Sequence, residues 1–303
     1  MNQELYNKLR GIAGADRVRA GEPMSLHTTF RIGGPADYFV MPADTRQLLD
    51  IVRLCREEEV PATVVGNGSN LLVGDRGFRG VIIQIGRGMG GIQTEGTRIR
   101  AQAGALMSAA AKEAADHGLA GLEFASGIPG TLGGGLVMNA GAYGGELKDC
   151  VREVTVLTPD DEIVTLSGEE MEFGYRTSRV QKEGGIITEA VLELKEGRQE
   201  EILGLMEQLR QRRQEKQPLD LPSAGSTFKR PEGFFAGKLI MDSGLRGLRV
   251  GNAQVSEKHC GFVVNRGGAT AAEVRALMEQ VQDEVEKRFG VRLEPEVRFI
   301  GEF

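Results

Sequence analysis

The chain has 303 residues, 40% of them hydrophobic and 26% charged, with a net charge of −6 and a pI near 5.4. That length suits about two domains, and the composition is that of a folded globular protein. The acidic balance excludes a large basic field for nucleic acid or anionic lipid. Glycine stands apart at 43 of 303 residues, about 14% against a usual share of ~7%. There is no Gly-X-Y period. The glycines gather in short loops between apolar runs, the pattern of a backbone that must approach a ligand closely. Trp is absent and aromatics are scarce, which weakens any reading as a sugar- or base-stacking protein.

The first ten residues are polar and lack a signal-peptide core. No run approaches the ~18 apolar residues of a membrane span, so a soluble, cytoplasmic protein is expected. Residues 2–13 suit a short helix. Between Leu26 and Pro42, the apolar residues Phe30, Ile32, Tyr38, Phe39 and Val40 flank Gly33-Gly34 and predict two strands around a glycine turn. Leu48, Ile51, Val52 and Cys55 fall at i, i+3, i+4 and i+7, predicting a helix over 45–59 with Asp44 or Thr45 as its cap. Strands are predicted at 63–65, 71–73, 81–85 and 99–103, then a helix over 105–117. Further strands follow at 151–158, 162–166 and 186–194.

Residues 199–216 return to helix, with Ile202, Leu205, Met206 and Leu209 on one stripe. Arg210, Arg212, Arg213 and Lys216 are read as its solvated face. The last hundred residues predict a helix near 236–243, strands near 253–256 and 262–265, and a final strand near 297–300. Between them lies a long helix over 270–289 with Val274, Leu277, Met278, Val281 and Val285 inward. The mixed pattern without regular βαβ alternation indicates an α+β fold. The three cysteines, Cys55, Cys150 and Cys260, read as buried free thiols. The three histidines show no metal-ligand spacing, so no metal is expected.

Gly86-Arg87-Gly88-Met89-Gly90-Gly91 matches G-x-G-x-x-G after a strand, but no helix pattern follows and no acidic residue closes a βαβ unit about 20 positions on. It reads as a loop. Gly66-Asn67-Gly68-Ser69-Asn70 sits directly after a strand, and its successive N–H groups suit an anion-binding nest. A tight turn explains the same residues equally well. A second stretch, Ser126 to Gly135 followed by Asn139-Ala140-Gly141-Ala142-Tyr143-Gly144, holds more glycine than turns alone require. Two such loops sixty residues apart suit the two ends of one dinucleotide.

These segments resemble a known family, the UDP-N-acetylenolpyruvoylglucosamine reductases in their shorter subgroup. Seven motifs in the family's order carry the resemblance from about residue 22 to 301. They are His27 to Pro35, Gly66 to Asn70, Gly127 to Thr131, Asn139 to Gly144, Tyr175 to Ser178, Ala224 to Lys229 and Leu293 to Arg298. The resemblance implies an N-terminal arm over 1–21 and a two-subdomain FAD-binding region of the vanillyl-alcohol-oxidase type over 22–195. A smaller α+β substrate domain follows over 196–303. FAD is then held non-covalently. Its expected contacts are Gly66, Asn67, Gly68, Ser69 and Asn70, then Gly127, Ile128, Pro129, Gly130 and Thr131, with Gly134, Asn139 and Gly141. The shorter subgroup lacks the inserted segment whose tyrosine closes over substrate in the longer one, so no lid tyrosine is assigned.

The reaction so implied reduces the enolpyruvyl ether of a UDP sugar to a lactyl ether in peptidoglycan precursor synthesis. NADPH reduces FAD, and the flavin passes the hydride to the terminal enolpyruvyl carbon. Charge then develops on the adjacent carbon and its carboxylate. The resemblance makes Arg176 the carboxylate clamp, since a guanidinium fork matches a planar carboxylate. It makes Glu296 the second electrostatic partner and Ser226 the proton donor to the carbanionic carbon. Tyr175, Lys229, Arg230 and Lys238 are further candidates for substrate contacts. A flavin oxidase on the same scaffold, or a nucleotide-sugar-binding protein without chemistry, are the alternatives.

Overall fold

The computed structural model describes residues 2–303. The chain forms two compact units, each assembled from separated stretches. One takes the residues up to Arg19 with Phe39–Asn67 and Val81–Arg213; the other takes Ala20–Tyr38, Gly68–Gly80 and Gln214–Phe303. The division expected from the sequence, 1–21, 22–195 and 196–303, is contiguous, whereas these units are not. It differs because two short N-terminal stretches share a core with the last hundred residues, which composition along the chain does not register.

The first unit is built on a five-stranded antiparallel sheet in the order Ile163–Ser167, Val151–Leu157, Ile186–Glu193, Arg98–Gln102, Ile92–Glu95. Side chains alternate faces along each strand. Ile99, Ala101, Val154, Val156, Ala190 and Leu192 are buried, while Arg98 and Arg152 stand on the outer face and both bind Glu193, at 2.8 and 3.1 Å. A groove of about 530 Å³ crosses that outer face, but its arginines Arg98, Arg100 and Arg152 already pair with glutamates. The helix Met107–Asp116 buries an alanine-rich face, and Ala62–Val65 pairs in parallel with residues 81–84. Thr45–Glu57 begins at Asp44, whose carboxylate accepts from Gln47 N–H at 2.8 Å. The Gly86–Gly91 stretch is a 3₁₀ turn and loop leading into a strand, with no helix behind it. Cys55 and Cys150 are buried and free; burial pushes their thiols up, to about 11 and about 12.

The second unit centres on the helix Ala271–Phe289, whose residues Val274, Leu277, Met278, Val281 and Val285 are all buried. They pack with Ala253 and Val255 of a small antiparallel sheet, with Leu239 and Ile240 of the helix Ala236–Asp242, and with Phe30, Ile32 and Leu72. The strand Arg298–Ile300 runs parallel to Leu71–Val73. Phe30 and Ile32 reach this core from a loop: only Pro35–Val40 forms a strand in the 26–42 region, and the expected first strand is absent. Apolar alternation there reports burial rather than pairing.

The N-terminus of the long helix is fully partnered. A helix leaves its first four N–H groups without intrahelical acceptors. Here Ala271 and Ala272 donate to the two carboxylate oxygens of Asp75, at 2.7 and 2.9 Å. Glu273 N–H donates to Thr270 Oγ1 and Val274 N–H to the Thr270 carbonyl. Thr270 and Glu273 complete a capping box. Asp75 therefore ties the 68–80 stretch to the helix. Asp75→Ala is expected to cost about 1–2 kcal/mol, read as a lower midpoint of urea unfolding, with Asp75→Asn intermediate.

Candidate active site

The two glycine loops meet. The strand Ala62–Val65 delivers Gly66 against Thr131: a Cβ on Gly66 would lie 2.2 Å from Thr131 Oγ1. Asn67 Nδ2 donates to the Pro129 carbonyl at 2.6 Å. Gly68, at φ +62°, would place a Cβ 2.0 Å from the His27 carbonyl oxygen. These glycines are thus required by chain packed on chain, a more immediate cause than the close ligand approach read from composition. The donors remain available. Among the described residues, the N–H groups of Asn67, Gly68 and Ser69 have no acceptor. Those of Leu132, Gly133 and Gly134, which open the short helix Leu132–Val137, are taken by Ala105 O, Ala103 O and Thr131 Oγ1. Ile128 N–H is likewise taken, by Ala125 O.

Asn139 is buried and its amide is spent within the protein. Nδ2 donates to Glu146 Oε2 at 2.8 Å and to the Gly174 carbonyl at 3.1 Å, while Oδ1 accepts from Lys148 N–H at 3.0 Å. It thereby fastens a hairpin to the turn that carries Arg176. In the hairpin, Gly141–Ala142 pairs with Gly145–Glu146 across Tyr143-Gly144. Gly174 and Thr177 exchange backbone hydrogen bonds, so Tyr175 and Arg176 occupy a two-residue tip. Arg176 Nη2 donates to the Gly141 carbonyl at 3.3 Å, and its guanidinium lies 5.1 Å from the Tyr175 ring centroid. Ser178 closes the turn, donating to the Val137 carbonyl at 2.7 Å and capping Arg179–Glu183. The Glu146 carboxyl is held below the usual carboxylate range, first by Lys148, then by Asn139 and the Arg176 charge, with partial burial opposing.

Three non-glycine residues of this region, Asn139, Tyr143 and Arg176, have φ of +45°, +54° and +55°. Such conformations are costly for L-residues and concentrate at functional sites. Tyr143 and Gly144 both lie at positive φ, the signature of a type I′ turn, whose first position favours Asn over Tyr. Tyr143 is also 45% exposed, so core burial does not explain its presence.

Beside it lies a residue that the sequence reading placed wrongly. Arg213 is not on a solvated helix face. Its side chain packs on Gly127, where a Cβ would come within 3.1 Å of Arg213 Cδ and 3.2 Å of Nη1. No carboxylate pairs with it among the described residues. Burial holds its pKa below the ordinary arginine value, and only the nearby Tyr143 phenol opposes that shift. The signal was present in the spacing: Arg213 stands four residues after Leu209, on the buried stripe rather than opposite it. Leu205, expected on that stripe, is exposed.

In the second unit, residues 226–229 run antiparallel to 294–296. Glu296 N–H donates to the Thr227 carbonyl at 2.9 Å and Lys229 N–H to the Glu294 carbonyl at 2.8 Å. Thr227 is itself buried, with Oγ1 accepting from Val263 N–H at 2.9 Å. Asn70 Nδ2 donates to the Glu296 carbonyl at 3.0 Å. Ser226 and Glu296, seventy residues apart, are therefore neighbours, and Ser226 is exposed beside buried Thr227. Lys229 pairs with Glu294 at 3.1 Å and Lys238 with Asp242 at 2.7 Å. Arg230 lies over the Phe235 ring at 3.9 Å. Among the described residues no group of three or more His, Cys, Asp or Glu side chains is placed to hold a metal. Among the described residues, no helix is long and apolar enough to cross a membrane.

Because Tyr143 occupies an Asn-favouring turn position, Tyr143→Asn is expected to raise stability by about 0.5–1 kcal/mol while lowering turnover. Thermal unfolding and steady-state assays of one preparation check this; a loss of stability would contradict the assignment of strain.

The FAD binding domain family matches residues 36–167, and the family described as UDP-N-acetylenolpyruvoylglucosamine reductase, C-terminal domain, matches 217–300. The chain is 50% identical to UDP-N-acetylenolpyruvoylglucosamine reductase of Lachnoclostridium phytofermentans, covering 100% of this chain and 99% of that one. It is 55% identical to the reductase of Agathobacter rectalis over 93% of each. The crystal structure of the Thermus caldophilus reductase superposes with a TM-score of 0.78 at 39% identity, covering 92% of this chain and 97% of that one. With half its residues shared along the full length of such relatives and an FAD-binding domain in place, the chain belongs to the UDP-N-acetylenolpyruvoylglucosamine reductase family of flavin-dependent oxidoreductases.

Proposed function

We propose that the protein reduces the enolpyruvyl ether of UDP-N-acetylglucosamine enolpyruvate to UDP-N-acetylmuramate, with NADPH as reductant and Ser226 as proton donor. The observation that carries this reading is the backbone pairing that sets Ser226 beside Glu296. The donor set fits FAD: among the described residues, the N–H groups at Asn67, Gly68 and Ser69 have no acceptor, and the arginine against Gly127 has no carboxylate. Both suit a diphosphate. In the first unit, Arg213 and the Asn67 N–H would hold it, while Asn139 acts by fastening the hairpin to the turn that carries Arg176. Flavin held there would supply the hydride-transfer chemistry, and the protein's residues would bind and orient the reactants.

The protein's own part is electrostatic and positional. Arg176 receives the carboxylate as negative charge spreads onto it, a role suited to a guanidinium held at the tip of a fastened turn. Ser226 Oγ gives its proton to the adjacent carbon. A serine serves as acid here because the carbanion is a far stronger base, provided the two are held at hydrogen-bond range. Glu296 is the second electrostatic partner, supporting the developing negative charge with a hydrogen bond given through a protonated carboxyl or a bridging water. The cytoplasm, where nucleotide-linked precursors and NADPH meet, is the proposed site of action.

Anaerobic stopped-flow separates the roles. Ser226→Ala is expected to let NADPH bleach the flavin within about two-fold of wild type while slowing lactyl-ether formation by at least ~10²-fold. Equal loss in both half-reactions would contradict the assignment. Arg213→Ala is expected to weaken FAD retention roughly ten-fold, read as flavin per polypeptide after gel filtration; full retention would remove Arg213 from the diphosphate site.

A further inference from the structure

Thr28 and Thr29 lie in a motif, His27 to Pro35, that the proposed chemistry leaves without a role. Their hydroxyls do different work. Thr28 is buried, and its Oγ1 closes its own loop, donating to the Ile32 carbonyl at 3.1 Å and accepting from Ile32 N–H at 3.3 Å. Thr29 reaches across the unit. Its Oγ1 donates to the Ser223 carbonyl, 194 residues away, at 2.7 Å, and its N–H donates to the Gly68 carbonyl at 3.2 Å. One residue thereby joins the turn at Gly68-Ser69, whose N–H groups have no acceptor among the described residues, to the segment that leads to Ser226. All of these residues lie in the second unit.

Both ends of that link are seated. On one side, a Cβ on Gly68 would lie 2.0 Å from the His27 carbonyl oxygen, and Asn70 of the same turn donates to the Glu296 carbonyl at 3.0 Å. On the other, Asn265 N–H donates to the Pro222 carbonyl at 2.9 Å, and Gly225 N–H donates to Ser223 Oγ at 3.4 Å. Asn265 is buried, and its Nδ2 donates to the carbonyl of Phe30, the residue after Thr29, at 3.1 Å. Exposed Ser226 is thus held between the Ser223 anchor and buried Thr227. We propose that Thr29 is a positioning residue for the reduction: its hydroxyl fixes the segment carrying the proton donor against the turn at Gly68-Ser69. The inference rests on the reductase reading, which makes Ser226 the donor. Reduction of the flavin by NADPH does not use Ser226, so a fault at Thr29 falls on the protonation half alone.

Thr29→Val keeps the shape of the side chain and removes the hydroxyl. In the holoenzyme it is expected to slow lactyl-ether formation by about ten-fold and to enlarge its solvent deuterium isotope effect, while NADPH bleaches the flavin at the wild-type rate. Thr29→Ser is expected to restore the wild-type rate. Amide hydrogen exchange, followed by mass spectrometry, is expected to quicken in peptides covering 223–226 and to stay unchanged in the strands at 151–157 and 186–193. Thr29→Ala removes the same hydroxyl and carries the test if the valine variant does not fold. Wild-type product formation without the hydroxyl overturns the proposal, and so does unchanged exchange over 223–226. Equal loss in both half-reactions, or a serine variant as slow as valine, overturns it as general damage. A wild-type holoenzyme that forms no lactyl ether would instead overturn the reductase reading, whatever the variants do.

Discussion

The hydrogen bond from Glu296 N–H to the Thr227 carbonyl is the constraint on which the candidate chemistry depends. It joins two segments seventy residues apart and sets Ser226 at the edge of a buried pairing. Three further bonds make that edge rigid: Lys229 N–H to Glu294 O, Val263 N–H to Thr227 Oγ1, and Asn70 Nδ2 to Glu296 O. A hydroxyl can act as an acid toward a carbanion only if it is held in place. Here the holding is done by backbone groups and a buried threonine, which side-chain motion does not loosen. Behind them lies the apolar cluster around Ala271–Phe289, whose first turn is secured by Asp75.

The first unit solves a different problem. In the proposed reading it displays a cation, Arg213, and the Asn67 N–H, neither with a partnering group among the described residues. Asn139 consumes its own amide to fasten the hairpin and the Arg176 turn. Gly66 allows chains to touch where any side chain would collide. Among the described residues, the result is an Asn67 N–H without an acceptor and a half-buried Arg213 without a carboxylate. Strain is accepted in the same place, at Asn139, Tyr143 and Arg176. Glu59, Asp161 and Glu172 of the same unit also have positive φ; along the five-stranded sheet, apolar residues alternate inward and exposed arginines meet glutamates outside.

Much of this was legible in the sequence because periodicity records burial. The stripes of Thr45–Glu57 and Ala271–Phe289 predicted their helices, and the strands at 151–157 and 186–193 emerged within one residue. The failures share a cause. Phe30 and Ile32 are buried without being paired, so alternation there mimicked a strand. Glycine abundance concealed the helix Leu132–Val137 and the hairpin at 141–146. The discontinuous units rest on contacts such as Arg298–Ile300 with Leu71–Val73, which no local pattern encodes. Arg213 departs from the expected solvated face because it stands four residues after buried Leu209 and so continues the inward stripe. The candidate residues themselves came from the family resemblance: neither Ser226 nor Glu296 carries a local signal that separates it from an ordinary turn or surface residue.

The central claim is that a bound flavin mediates between NADPH and an enolpyruvyl UDP sugar. The most direct measurement is the visible spectrum of the purified protein, taken anaerobically. The account predicts flavin bands that bleach on addition of NADPH and return in full on addition of UDP-N-acetylglucosamine enolpyruvate, with one lactyl ether formed per flavin reoxidised. A colourless protein, or reduced flavin that the enolpyruvyl substrate leaves bleached and only oxygen restores, would contradict it.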